Sequence, residues 1–269
     1  MKRRNVFVSG GTSGINLAIA ESFAAVGCNV GVLSRSKDKV AAAVKGLLEL
    51  GGPDSAAGWA ADVRDYERVA SSLGAFHQRF GAIDVLISGA AGNFRAPALG
   101  MSPNGFKTVI DIDLLGTFHV LHASHPYLVK PGASIINISA SQAYVPMMMQ
   151  SHVCAAKAGI DMLTKTLAME WARDGIRINS IAPGPVAETE GMVRLAPTPE
   201  IEKTLTSRIP MGRWARKEEI AGVVHFLSSP AAAMMTGLVI PVDGGLNIGR
   251  YGPEMNTQMD ALAAARQAA

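Results

Sequence analysis

Short apolar runs rich in β-branched residues alternate along this chain with longer stretches in which apolar positions recur at helical spacing. Residues 5–9, 30–33, 58–61, 85–87, 134–138, 176–181 and 239–242 read as buried strands, several of them bounded by glycine or proline. Residues 15–26, 37–50, 65–80, 106–122, 151–173 and 217–227 read as helices that lay one face on a core. Strands that alternate with helices in this way predict a parallel sheet covered on both faces. The expected fold class is α/β: a single Rossmann-type, doubly wound parallel sheet of about seven strands. One domain is expected to span residues 1–269.

Two stretches break the rhythm. Residues 186–212 carry three prolines (Pro197, Pro199, Pro210) and scattered charge, and read as irregular. That length suits a lid over a substrate, and Met192, Leu195 and Met211 suit a pocket for variable chains. The tail from about residue 250 is Ala-rich from Met255 onward and compatible with a helix, packed or frayed. No internal repeat or low-complexity linker marks a second domain.

Composition narrows the class. With 48% hydrophobic and 17% charged residues, the chain can bury a large core and is neither disordered nor fibrous. A net charge of +3 is mildly basic and its cations are scattered, so nucleic acid is not an expected partner. Only Met1-Lys2-Arg3-Arg4 is clustered, and it reads as a solvated terminus. No apolar run approaches the roughly 18 residues of a membrane span. A glycine-rich turn interrupts the first apolar segment, which argues against a secretory signal. Two cysteines, Cys28 and Cys154, make no disulfide framework, and Cys154 is expected to be small and buried. The terminal Gln267-Ala268-Ala269 is not a Ser-Lys-Leu-type address. A cytoplasmic protein without a metal site is the expectation.

The first strand, turn and helix form a candidate anion cradle. Gly10 and Gly14 let the backbone approach a pyrophosphate, while Thr12, Ser13 and Ile15 lead into a helix whose N–H groups face the anion. The third glycine of such a turn is replaced by Asn16, so a side chain must fit where helix and strand pack closely. The second strand ends in Ser34-Arg35, a hydroxyl and a guanidinium where an NAD site would place an acid. This pair suits the 2′-phosphate of NADPH, the alternative being an ordinary exposed arginine at a helix start.

Ser9-Gly10-x-x-x-Gly14, Asp62-Val63, Ala90-Ala91-Gly92, Lys157, Pro183-Gly184-Pro185 and Asp243-Gly244-Gly245 fall in the order and spacing of the short-chain dehydrogenase/reductases. The resemblance runs from about Asn5 to Gly245. It implies that Asp62 and Val63 hold the adenine and that Ala90, Ala91 and Gly92 line the cofactor. It further implies that Lys157 bonds the nicotinamide ribose, while Pro183, Gly184, Pro185, Val186 and Thr189 meet the carboxamide end. A homotetramer is also implied, through the helices at 106–122 and 151–173.

The family's Asn-Ser-Tyr-Lys active site reads here as Asp113, Ala140, Val153 and Lys157. Neither Ala140 nor Val153 can exchange a proton, so ordinary carbonyl reduction loses its acid. Ser139 or Ser141 can stand in for the serine, but nothing adjacent replaces the tyrosine. Residues 90–94, 106–113 and 116–118, His152, and Ala182-Pro183-Gly184-Pro185 followed by Thr189-Glu190-Gly191 resemble 2,4-dienoyl-CoA reductases, most closely the peroxisomal type. That resemblance implies NADPH-dependent reduction of a conjugated dienoyl thioester. Asp113 would manage the proton through a water, with His152 orienting the water or serving as a structural histidine. It also implies acyl-CoA contacts from Arg64, Asn93, Phe94 and Ser102. Tyr144 is an alternative proton donor or a packing residue, and Met147-Met148-Met149 borders the site or a subunit contact. From the residues alone, Asp113 is equally a solvated or capping acid. Another carbonyl or enone reductase, or a silent cofactor-binding scaffold, are the competing readings.

Overall fold

The computed structural model describes residues 3–196, 198–249 and 252–267; Met1, Lys2, Pro197, Arg250, Tyr251, Ala268 and Ala269 lie outside the described residues. Seven strands form one sheet in the order β3-β2-β1-β4-β5-β6-β7. They are β1 (Asn5–Ser9), β2 (Asn29–Ser34), β3 (Ala56–Ala60), β4 (Val85–Ser88), β5 (Ser134–Ile138), β6 (Arg177–Pro183) and β7 (Val239–Val242). Every pairing is parallel; Val6, for example, lies opposite Val30 on one side and Val85 on the other. The chain reverses its direction of travel across the sheet between β1 and β4. Doubly wound sheets open a crevice at such a switch point, beyond the carboxyl ends of the strands.

Helices cover both faces. α1 (Gly14–Ala25), α2 (Lys37–Gly51) and α9 (Lys217–Leu227) bury Ile19, Phe23, Leu47, Ile220 and Val224 against Val6, Val8 and Ile87. On the opposite face, α3 (Tyr66–Phe80), α5 (Gly116–Ser124) and α6 (Ser151–Trp171) bury Leu73, Phe76, Leu121 and Leu167 against Phe7, Leu86 and Ile135. Successive residues of one strand therefore feed opposite cores, which is why β1 is buried at every position. Ser36 and Asp65 cap α2 and α3 by accepting from Lys39 N at 3.3 Å and Arg68 N at 3.1 Å.

Four readings of the sequence need correction. The third strand is Ala56–Ala60 rather than 58–61, because Val30↔Ala56 pairing extends it backward through two small residues. The stretch 106–122 is not one uniform helix. It begins as α4 (Pro103–Val109), capped by Ser102, widens into a π-helical turn over Ile110–Leu115, and continues as α5. Residues 186–212 are not wholly irregular: α7 (Glu190–Leu195) and α8 (Pro199–Thr206) start on the capping hydroxyls of Thr189 and Thr198. Pro199 occupies the first helical turn, where its missing N–H costs nothing. Finally, Arg4 is not simply solvated, since its Nη2 donates to the Ser228 carbonyl at 2.7 Å. The tail forms α10 (Pro253–Gln267), with Met255, Met259 and Leu262 exposed.

Two glycines give opposite stability predictions. A Cβ at Gly31 in β2 would lie 2.4 Å from the Phe76 ring, whereas one at Gly222 in α9 meets nothing within 4 Å. Gly31→Ala is expected to destabilise by ~1–3 kcal/mol through overpacking. Gly222→Ala should be neutral or stabilising by up to ~1 kcal/mol, through helix propensity. Urea denaturation midpoints of the two variants check both signs.

Candidate active site

The loops beyond β1, β2, β3 and β4 converge on a cradle of about 640 Å³. Gly10, Thr12, Ser13, Ser34, Arg35, Asp62, Val63, Ala90 and Ala91, all assigned to the cofactor from the sequence, come together in its lining. Gly10 has a φ of +73° and stands against the turn after β4: a Cβ there would lie 2.8 Å from Ala90 N. Gly14, with φ +56°, opens α1 and keeps space beside it clear. Ile15 packs on the core beneath. A larger groove of about 1170 Å³ runs along the free edge of β3, but it is mainly apolar and shares no lining residue with the cradle.

The cradle fits a dinucleotide. Its backbone leaves room for a pyrophosphate at the start of α1, and Arg35 is exposed with no ion-pair partner among the described residues. No acid occupies the end of β2. The nearby Asp62 carboxylate is gripped by Arg64, with Nε to Oδ1 at 3.0 Å and Nη2 to Oδ2 at 2.7 Å. The hydrogen bonds from Arg64 hold the Asp62 carboxyl below its ordinary range. Arg64 is thus the partner of Asp62 as well as a cation at the mouth.

Asp113 lies in the π-helical turn and is 1% exposed, which overturns the solvated-acid reading. Its Oδ1 accepts from Gly92 N at 2.7 Å, and its Oδ2 lies 3.5 Å from Lys157 Nζ. Burial pushes the Asp113 carboxyl above the ordinary range, while Lys157 and the Gly92 N–H pull it partway back. Lys157, on the buried face of α6, also donates to the Ile138 carbonyl at 3.0 Å. Wide turns of this kind are uncommon and concentrate at functional sites.

Val153, one turn before Lys157 on α6, is 3% exposed and packs with Val109 and Ala156. His152 is fully buried; it donates from Nε2 to the Phe94 carbonyl at 3.1 Å, and the two rings lie 4.4 Å apart. Asn93 is joined to Gln150 at 3.0 Å, and Gln150 to Gln142 at 3.2 Å, a chain of amides that sequence reading missed because no motif marks it. Two buried polar atoms here, Asp113 Oδ2 and His152 Nδ1, have no hydrogen-bond partner among the described residues. Atoms of this kind are where an ordered water or a bound group is expected.

Other predicted residues are more peripheral. Ser102 spends its hydroxyl on the α4 cap. Tyr144 is 45% exposed; burial of part of the ring and then the acids Asp243 and Asp161 raise its pKa. Cys154 is half-buried rather than buried. Pro183 ends β6, Gly184 abuts Asp243, and Val186 bridges to Ala215 beyond Pro185. Thr189 donates to the Val186 carbonyl at 3.0 Å while it caps α7. The side chain of Leu195 lies outside the described residues. Because Lys157 lowers the Asp113 pKa, Lys157→Met should make that carboxyl titrate at higher pH than in the parent; carbon-13 NMR of labelled aspartate reads the shift.

The chain matches the family described as enoyl-(acyl carrier protein) reductase over residues 10–247. The peroxisomal 2,4-dienoyl-CoA reductase of Arabidopsis thaliana, named as (3E)-enoyl-CoA-producing, is 42% identical over 249 residues, 89% of this chain and 83% of that protein. The Saccharomyces cerevisiae protein of the same description is 41% identical over 253 residues, 93% of this chain and 86% of that one. A crystal structure of a short chain dehydrogenase from Bacillus anthracis superposes with a TM-score of 0.82 at 37% identity, covering 93% of this chain and 99% of the other. Likeness of this extent, in sequence and in fold, makes the chain a member of the short-chain dehydrogenase/reductase family of nicotinamide-dependent oxidoreductases.

Proposed function

We propose that this protein is an NADPH-dependent reductase of conjugated enoyl thioesters, converting a 2,4-dienoyl-CoA into an enoyl-CoA. The observation that carries this reading is an exchange. Apolar Val153 fills the place of the usual acid, and a buried carboxyl, Asp113, stands within 3.5 Å of Lys157. The Arabidopsis and yeast relatives are dienoyl-CoA reductases by name.

The nicotinamide cofactor, when bound, supplies the hydride. Addition at the far end of the conjugated chain moves negative charge to the thioester oxygen, and a proton on carbon completes the reaction. Asp113 holds that proton and passes it on through a water, and its raised pKa keeps the acid form available. The Gly92 N–H and the Lys157 ammonium fix the carboxyl in place, and Lys157 also serves the cofactor ribose. His152 positions the segment of chain at Phe94. Protonation at the carbon next to the thioester leaves a double bond at position 3, the outcome in the names of the two relatives.

Arg35 and Ser34 select NADPH by meeting its 2′-phosphate. Gly10 to Ile15, Asp62, Val63 and Ala90 to Gly92 hold the rest of the cofactor, with Pro183 to Val186 and Thr189 at its nicotinamide end. Arg64, whose side chain is 43% exposed, faces the CoA phosphates, while Asn93, Phe94, Ser102 and Tyr144 border the acyl path. The two capped helices within residues 186–212 act as the substrate lid. Leu115, Phe118, Met162 and Met169 are exposed on the site's outer helices and serve contacts between copies in a homotetramer.

The decisive assay follows NADPH oxidation with 2,4-hexadienoyl-CoA against a panel of ketones. The dienoyl thioester should turn over, and Asp113→Ala should lower kcat by about 10²–10⁴-fold, the range for loss of a general acid. Turnover of ketones alone would sink the reading. Since the acid form is the active one, activity should fall as pH rises through the raised Asp113 pKa, and Asp113→Asn should lack that limb. Arg35→Ala should cut the preference for NADPH over NADH by about 10–100-fold, the worth of charged hydrogen bonds of ~1.5–3 kcal/mol. Equal preference in parent and variant removes Arg35 from the site.

A further inference from the structure

Asn16 stands where the glycine-rich turn normally has its third glycine, and the structure shows what that side chain does. Its Nδ2 donates to the Gly89 carbonyl at 2.8 Å, across the sheet's switch point from α1 to the end of β4. The fit is reciprocal: a Cβ on Gly89 would land 2.4 Å from Asn16 Nδ2 and Oδ1. Bulk absent from position 89 has been supplied from position 16.

The turn that follows, Gly89–Gly92, is gripped along its length. Gly89 N donates to the Ser9 carbonyl at 3.2 Å, and Ala90 N sits 2.8 Å from where a Cβ on Gly10 would be. At its far end Gly92 N donates to Asp113 Oδ1 at 2.7 Å, and the Ile112 side chain closes over Gly92, 3.1 Å from where a Cβ on that glycine would lie. Only two residues, Ala90 and Ala91, separate the Asn16 bond at Gly89 from the Asp113 bond at Gly92. Past the Gly89–Ser9 bond the turn leaves the strand ladder, and the side chains of Asn16, Ile112 and Asp113 hold it. The remaining polar atom of Asn16, Oδ1, is buried without a partner in a residue that lines the cofactor cradle.

We propose that Asn16 is a positioning residue that bolts α1 to the Gly89–Gly92 turn, so that the cofactor cradle and the Asp113 carboxyl are set as one unit. The catalytic meaning of this linkage rests on the proton-handling role given to Asp113 above; the geometry does not. Cutting the Asn16–Gly89 bond frees one end of the turn and leaves a carbonyl in the cradle wall without its donor. Gly92 then shifts at the other end and takes the Asp113 hydrogen bond with it. Loss of that N–H removes one of the influences that lower the Asp113 pKa.

The test uses three proteins: the parent, Asn16→Ala, and the double variant Asn16→Gly with Gly89→Ala, which returns bulk across the contact but not the hydrogen bond. The dissociation constant of NADPH is read from its fluorescence, and the Asp113 carboxyl is titrated by carbon-13 NMR without substrate. Asn16→Ala is expected to weaken NADPH about tenfold and to move the Asp113 titration to higher pH. The double variant should fold as the parent does yet keep the displaced titration. An unchanged dissociation constant and titration in Asn16→Ala overturn the proposal. Full recovery of both in the double variant also overturns it, because bulk alone would then suffice. A parent that fails to reduce hexadienoyl-CoA while the Asn16 variants still displace the Asp113 titration defeats the substrate assignment and upholds the linkage.

Discussion

A carboxyl and an ammonium share a dry interior only when each is held by something besides the other, and at Asp113 and Lys157 that requirement shapes the surrounding chain. The carboxyl takes a backbone N–H from the turn after β4; the ammonium gives a hydrogen to the last carbonyl of β5. The two anchors lie at and just beyond the carboxyl ends of neighbouring central strands, so the sheet fixes the separation of the carboxyl and the ammonium. α6 brings the lysine in along its buried face, and the widened turn before α5 brings the acid in. With Asp113 only 1% exposed, Coulomb attraction and hydrogen bonds act with little screening by water. The apolar cluster of Val109, Val153 and Ala156 keeps it so.

The parts of this arrangement that are local in sequence are the parts a reader of the sequence can find. The cradle needs glycines at fixed spacing between a strand and a helix, and Gly10 and Gly14 announce it. Apolar runs with helical partners announce the sheet. Arg35 is visible because it occupies the one position where an acid is otherwise expected. Burial of Asp113 is not visible, since it depends on a turn of i→i+5 bonds that leaves no mark in a pattern of apolar spacing. The grip of Asn16 on Gly89 joins residues 73 apart in sequence, and no periodicity encodes it. Prolines made residues 186–212 look irregular, yet Pro199 begins a helix, because at that position a missing N–H is no loss. The capping hydroxyls of Thr189 and Thr198 were the overlooked signal there. Arg64 looked like a free cation because its partner, Asp62, was already assigned another task.

Charge is handled differently at two places beyond the carboxyl ends of the strands. In the cradle wall the ions are half-exposed: Arg64 and Asp62 meet in a two-pronged pair that water can screen, so its worth is mainly geometric. At Asp113 and Lys157 the two groups are almost dry. The turn Gly89–Gly92 touches both places, lining the cradle at Ala90 and Ala91 and donating to Asp113 from Gly92.

The widened turn at Ile110–Leu115 contains, in effect, one residue more than a regular helix would need over the same path. Deleting a single residue there would let α4 and α5 fuse into an unbroken α-helix, with every backbone bond satisfied and a gain in regularity. The same deletion would rotate the following side chains by about 100° and swing a carboxyl off the lysine. Helical regularity and the placement of Asp113 beside Lys157 therefore make opposite demands on this one turn, and the fold gives up the first for the second.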